Sequence, residues 1–256
     1  MRNANGHASA RVLALVAAAL AIVACAPASV KPLGSTTATG LPRPTRVAVV
    51  DFAVNAGDVH EDQAPGTRLM NAFSSSSASE RELEIGRKVA DALASDMASG
   101  IQQLGFPVER VARGTPLGAG TLVVDGRLLD VDEGNRLRRI AIGFKAGQSS
   151  VKSEVHVTLV TETGSRPVLD FTAEGASAPM PGAAVTMGAG AAAQGGVTVA
   201  SAAAAGGVGA IKTQRSTVEN DAGGAAKQIV AYLSDFFAHQ GWIAPDQAER
   251  AKIATR

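Results

Sequence analysis

Glu154–Thr161 reads EVHVTLVT. Val155, Val157 and Leu159 alternate with His156 and Thr158, the period of a strand with one buried and one wet face. After the turn at Gly164-Ser165, Val168–Ala173 repeats the pattern, with Leu169 and Phe171 against Asp170 and Thr172. The pair predicts a β-hairpin. Upstream, TLVVDGRLLDVDEGN (Thr121–Asn135) puts Leu122, Val124 and Leu128 in one phase and Leu129 and Val131 in the other, so a bulge is expected near Gly126. Further upstream, Arg46–Val54, RVAVVDFAV, is a β-branched run expected to form a buried strand. Phe106–Ala112 can supply a short further strand.

Two helices frame these strands. Ser79 and Glu82 fit a capping box, and Val89, Leu93, Met97, Ile101 and Leu104 recur at helical spacing until Gly105 and Pro107 end the helix. Ser216 and Glu219 begin the second. Its stripe is Val218, Ala222, Ala226, Ile229, Leu233 and Phe237, closed by Gly241 and Pro245, with Trp242 expected as an anchor. The architecture expected is α+β: a mainly antiparallel or mixed sheet packed by two amphipathic helices, spanning 46–243, with 244–256 as a C-terminal tail. Asn55–Ser79 is expected to be a long loop. Residues 179–215 form a Gly/Ala-rich insertion within an uncharged run of 37 residues, Gly175–Ile211. Three states stand open for it: a mobile or loosely helical insertion, a small-residue helical hairpin, or a membrane-entering segment.

Composition narrows the function classes. The 256 residues carry 24 Lys+Arg against 23 Asp+Glu, a net charge of +1. That balance argues against a nucleic-acid partner. Ala and Gly, 50 and 28 residues, are nearly a third of the chain, and aromatics only 4%. The lone cysteine, Cys25, excludes an intrachain disulfide framework and a Cys-rich metal site. It stands in a telling place. Arg2 and Arg11 precede the apolar run Val12–Val23, 12 residues long. This is too short for a bilayer span, which takes about 20, and fits a secretory leader. The run closes in Ile22-Val23-Ala24-Cys25, which resembles the lipobox of bacterial lipoproteins. Residues 1–24 are then a signal peptide. The resemblance implies that the Cys25 thiol takes a diacylglyceryl group and that the new amine is acylated, with palmitate a typical chain. Ala26, where an inner-membrane retention signal would have Asp, points to the outer membrane and its periplasmic face. Removal of the leader leaves a net charge of −1. Residues 25–45 are rich in Pro, Ser, Thr and Gly and are expected to be the lipidated Cys and a flexible tether, holding the domain on the order of 25 Å from the lipid.

No catalytic pattern emerges. His7, His60, His156 and His239 form no H-x-x-x-H pair, and there is no G-x-S-x-G elbow. Asp130–Asn135 starts like a calcium loop but lacks Gly at its sixth position. Gly188-x-Gly190-x-x-Ala193 matches a dinucleotide fingerprint in letters only, since no hydrophobic strand leads directly into it. The Ser74–Ser77 run fits a loop better than a nucleophile. Asp51 is a single carboxylate without a partner. Arg136, Arg138 and Arg139 form a small basic patch, suited to anionic headgroups or an acidic partner. No metal, cofactor or catalytic residue is expected, and the chain is read as a non-enzyme.

RVAVVDF, LGFPVERV, LVVDGRLLDVDEGNRLRRIAIGFKAGQSSV and VHVTLVTETGSRPVLDFTAEGAS, taken in order, resemble a bacterial lipoprotein family, the domain-of-unknown-function family 4410. The resemblance runs over about Arg46–Ile243, and its most specific piece is GNRLRRIAIGFKAG with the VHVTLV strand. More distantly the layout is similar to the periplasmic domain of the curli secretion channel lipoprotein, whose subunits form a ring and each contribute hairpins to a barrel. Here Arg139–Val151 and the Gly/Ala tract are the two places for such hairpins. With one Tyr and one Trp, aromatic girdles cannot be built. The expected function is therefore a membrane-anchored envelope scaffold or assembly component acting on other envelope proteins or on its own copies. An export-channel subunit, or a periplasmic enzyme or ligand sensor using the 55–79 loop beside Asp51 and His60, are the alternatives.

Overall fold

A computed structural model of the chain describes residues 29–34, 39–62, 65–134, 143–144, 148–176, 180–181 and 207–253. The strands are β1 (Ser29–Pro32), β2 (Arg46–Val50), β3 (Val59–His60), β4 (Val108–Val111), β5 (Thr121–Asp132), β6 (Gly143–Phe144), β7 (Ser150–Thr161), β8 (Gly164–Ala176) and β9 (Met180–Pro181). The helices are α1 (Pro65–Ala72), α2 (Ala78–Gln103), α3 (Gly207–His239) and α4 (Pro245–Ile253). Seven strands form one mixed sheet in the order β1-β8-β7-β5-β2-β4, with β3 also on β5. β2, β3 and β4 are parallel additions, and β5, β7, β8 and β1 pair with one another in antiparallel succession. The α+β class and the mixed sheet read from the sequence are what the chain forms.

β5 is the axis. One edge pairs with β7 from Leu122 to Asp132. The other carries β2, then an isolated bridge from Ala53 to Arg127, then β3. Gly126 makes this second edge possible. A Cβ there would lie 2.1 Å from the Glu154 carbonyl oxygen and 2.7 Å from the Phe52 ring. The phase of β5 changes three residues later than expected, between Leu128 and Asp130, where Leu129 is the extra residue. The β7–β8 hairpin is longer than the alternating cores predict. Its register slips between Val157 and Thr158, which lets both Val168 and Leu169 turn inward.

One face of the sheet lies under α2 and α3, which run side by side in the same direction. Val89, Leu93, Met97 and Ile101 of α2, and Val218, Ala222, Ala226, Ile229, Leu233 and Phe237 of α3, are fully buried. Contact is close because Gly100 leaves room for Val230, whose side chain is 2.7 Å from where a Cβ would sit. The N-cap of α2 is Ser77, not Ser79. Ser77 and Glu80 bond reciprocally; S-S-A-S-E-R-E offers the S-x-x-E spacing in two registers, and the earlier one lengthens the helix by two residues. α3 begins nine residues before Ser216, at Gly207. Beyond it, the Gly/Ala insertion falls outside the described residues except at 180–181 and 207–215.

Three other expectations change. Asn55–Ser79 holds a 3-10 turn, β3 and α1 rather than unbroken loop. Within the stretch predicted as tether, Ser29–Pro32 is an edge strand on β8 and Leu41 is buried. Polar composition does not prevent this, because an open sheet edge offers backbone hydrogen bonds that need no apolar side chain. Leu41 also accepts from Trp242 Nε1 (3.1 Å), so that indole does serve as an anchor. In the predicted tail, Pro245 opens α4 as its first residue, a position where its missing N–H costs nothing, and Ala248 is buried.

The strand directions give the sheet two unlike ends. The aromatic end holds Phe106, Phe236, Phe237 and Trp242, with ring centroids 4.9 to 6.2 Å apart. The opposite end gathers the start of β1 and the ends of β3, β5 and β8. Both long insertions leave from it, so it is called the insertion end. Off that end β6 pairs with β9 as a separate two-stranded ribbon.

Gly126→Ala is expected to cost about 1–3 kcal/mol through overpacking. Gly224→Ala, in α3 with open space around it, is expected to gain up to about 1 kcal/mol. Urea unfolding midpoints of the two variants would separate, on opposite sides of the parent.

Candidate functional site

Ile22, Val23, Ala24 and Cys25 lie outside the described residues. The first described residue, Ser29, stands at the insertion end. It opposes Glu174, which opposes Lys152, which opposes Asp130, so one row crosses four strands. His60 Nε2 lies 3.7 Å from Asp130. Burial holds the Asp130 carboxyl above its ordinary value; His60 and Lys152 pull it down, while Asp132 and Glu174 add to the rise. Behind this row Asp62, Glu133, Ser149 and Asp221 are buried. Glu133 accepts from the Asp62 backbone N–H (3.2 Å), and Ser149 donates to Asp221. Glu61 accepts from Arg81 (3.0 Å) and from Asn71 on α1 (2.8 Å).

The second polar surface is the sheet face away from the helices. Asp125, His156 and Asp170 stand opposite one another across β5, β7 and β8. His156 Nδ1 lies 2.7 Å from Asp170 and Nε2 lies 3.9 Å from Glu154. Arg127 donates to Glu154 (2.6 Å). The parallel part of this face is different. β4 and β5 flank β2 on opposite sides and run parallel to it, so Ala112–Gly120 must cross β2. Arg113 fastens the crossing to the carbonyls of Asp51 and Gly126 (3.3 and 2.7 Å). That cover explains why Ala48, which points away from the helices, has no exposed surface.

Such a face can form ion pairs. Among the described residues, no group of three or more His, Cys, Asp or Glu could hold a metal ion. Asp51 and His60 are not brought together. Asp51 meets Arg110, which also reaches Asp91 on α2, both at 2.9 Å; hydrogen bonding to Asp51, then to Asp91, keeps that guanidinium above its ordinary value against some desolvation. A groove of about 600 Å³ lies elsewhere, between α2, α3 and α4, lined by Asp96, Gly100, Lys227, Val230, Arg250 and Ala251 among others.

A family model described as a domain of unknown function, DUF4410, matches residues 47–194. The chain belongs to this family. The match starts in β2, takes in the whole described sheet except β1, and ends inside the Gly/Ala insertion. Two crystal forms of the PelC dodecamer from Paraburkholderia phytofirmans are similar solved structures. One, a leucine-to-methionine variant, is 15% identical over 59% of this chain and 81% of that one, with a TM-score of 0.31. The other is 12% identical over 59% and 82%, with a TM-score of 0.33. No protein with a curated description matches.

Within the DUF4410 domain, the Asp125–His156–Asp170 row was hidden from sequence reasoning. The wet phase of both hairpin strands is plain, but which residue of β5 faces His156 depends on where the bulge falls. α1 was hidden inside a predicted loop. Its one signal is the i, i+4 pair Leu69 and Phe73 with Met70 between them.

The raised Asp130 carboxyl has a consequence for stability. An acid raised in the fold adds nothing unfavourable while protonated in both states, and costs stability as pH climbs past the ordinary value of 3.8. Asp130→Asn is therefore expected to match the parent in acid and to exceed it at neutral pH. Urea midpoints measured across that range check the sign.

Proposed function

We propose that this DUF4410 chain is a lipoprotein of the outer membrane, facing the periplasm, whose domain acts by contact with other envelope proteins or copies of itself and not by catalysis. The observation that carries the reading is the lone cysteine at the end of Ile22-Val23-Ala24-Cys25, directly after a short apolar run. The start of β1 supports it and sharpens it. Only Ala26, Pro27 and Ala28 stand between Cys25 and the sheet, four Cα steps that reach about 14 Å at most. A lipid on Cys25 would hold the insertion end against the membrane, not swing the domain on a long leash. Acyl chains contribute about 0.8 kcal/mol per buried CH₂, so several anchor a domain stably. Among the described residues, no helix is long and apolar enough to cross a membrane.

A second reading is an oligomeric channel subunit of the curli-secretion type. The β6–β9 ribbon favours it, because the two insertions meet in β-pairing outside the main sheet at the anchored end. The scarcity of aromatics weighs against it. A monomeric mass in detergent would remove this reading.

Cys25→Ala is expected to move the protein from the membrane fraction to the soluble periplasmic fraction. A variant that still sediments with membranes would defeat the anchor.

A further inference from the structure

α1 is amphipathic the wrong way round. Thr67 and Asn71, one turn apart, face the domain and donate to Asp62 (3.4 Å) and Glu61 (2.8 Å). Leu69 and Met70, with Phe73 one residue past the helix, are 61%, 52% and 85% exposed. At about 100° per residue, positions 69, 70 and 73 fall in one sector, away from 67 and 71. A helix on a globular domain normally buries its apolar stripe and wets its polar one. Here no residue of α1 is buried, and three large apolar side chains stand together in water. A grouping of that kind marks a contact with something outside the domain.

Position identifies the occupant. α1 follows β3 directly and is tied to Glu61 and Asp62, so it sits at the insertion end, where Ser29 and the path to Cys25 also lie. We infer that Leu69, Met70 and Phe73 seat the domain on a phospholipid surface, entering the boundary between headgroups and acyl chains. The inference rests on the anchor reading, which brings that surface to this end of the sheet. Charge agrees with it. From Pro65 to Ser79 there is no acidic residue, so no carboxylate of this segment opposes a surface of anionic lipid. Large aliphatic and aromatic residues on one side of a short helix are what such an interface accepts. Anchor and helix together make two attachments, and two fix an orientation where one cannot.

The test uses the full chain. In the lipidated protein the Cys25 thiol is consumed, so a cysteine introduced at position 73 or 253 is the only one open to an environment-sensitive nitrobenzoxadiazole label. Phe73→Cys and Ile253→Cys replace residues 85% and 67% exposed, which keeps folding out of the question. On vesicles of phosphatidylethanolamine and phosphatidylglycerol, the label at 73 should brighten several-fold, shift to the blue and be quenched by shallow doxyl lipids, while the label at 253 stays aqueous. A chain that floats with the vesicles while its label at 73 stays aqueous overturns the inference and leaves the anchor standing. If the chain does not float, the anchor has failed, and the same label on the Cys25→Ala chain, titrated with excess vesicles, decides α1 alone. A response there supports the inference, and no response overturns it. A response that grows with protein concentration in the absence of vesicles assigns the patch to a second copy and overturns it as well.

Discussion

Phe52 and the carbonyl of Glu154 occupy the space where a side chain at position 126 would be. The rest of the architecture depends on that contact. With Gly126 in place, Phe52 packs into the core beside β5, and the chain leaving β2 can stay on the edge of β5. Ala53 then bonds it on both sides, donating to Gly126 (3.0 Å) and accepting from Leu128 (2.9 Å). The same edge is resumed by β3, which delivers Glu61, Asp62 and α1 to the insertion end. A side chain at 126 would lift the chain off β5 after β2, and β3 would no longer carry α1 to the insertion end.

The helical layer obeys a related constraint of closeness. Gly100 admits Val230, and at Gly223 a Cβ would come within 2.8 Å of Asp96. Two long parallel helices can therefore cover one face of the sheet together, with α2 over the parallel half and α3 over the antiparallel half. Nothing comparable lies on the opposite face among the described residues. The Ala112–Gly120 crossing shields β2, and the antiparallel strands beyond it show water a set of paired charges. Surface ion pairs such as Arg127–Glu154 contribute little to stability, typically under about 1 kcal/mol each. Their effect is to leave a polar, structured face free for contact.

Much of this was legible in the sequence, for reasons specific to each element. The period-2 cores of β7 and β8 and the 3.6-period stripes of α2 and α3 are set by burial on one side, and burial writes itself into residue type. The capping box was legible but its register was not, because two serines two apart both meet a glutamate three residues on. β1 and α1 escaped for opposite reasons. β1 is held by backbone hydrogen bonds to an edge, and these leave no mark on side-chain chemistry. α1 turns its apolar residues outward, so the pattern that normally reports a packed helix reports nothing about this domain. The row from Asp125 to Asp170 joins residues 45 apart in sequence, and two irregularities set its register, the Leu129 bulge between β5 and β7 and the slip at Val168 between β7 and β8.

The end-to-end asymmetry of the sheet connects these features. At the aromatic end Trp242 and the side chain of Gln240 hold Leu41 at its carbonyl and amide, each at 3.1 Å, so Leu41 is fixed against a closed, apolar cap. At the insertion end four polar side chains, Asp62, Glu133, Ser149 and Asp221, are buried beside Val59, Val131 and Val151. Burying such groups costs several kcal/mol unless they are bonded, and each of the four is bonded here. An end of this kind is stable only while its hydrogen bonds hold. The chain departs from the sheet there after β5 and again after β8. The molecule has one end closed by aromatic packing and a polar end that carries an exposed apolar helix.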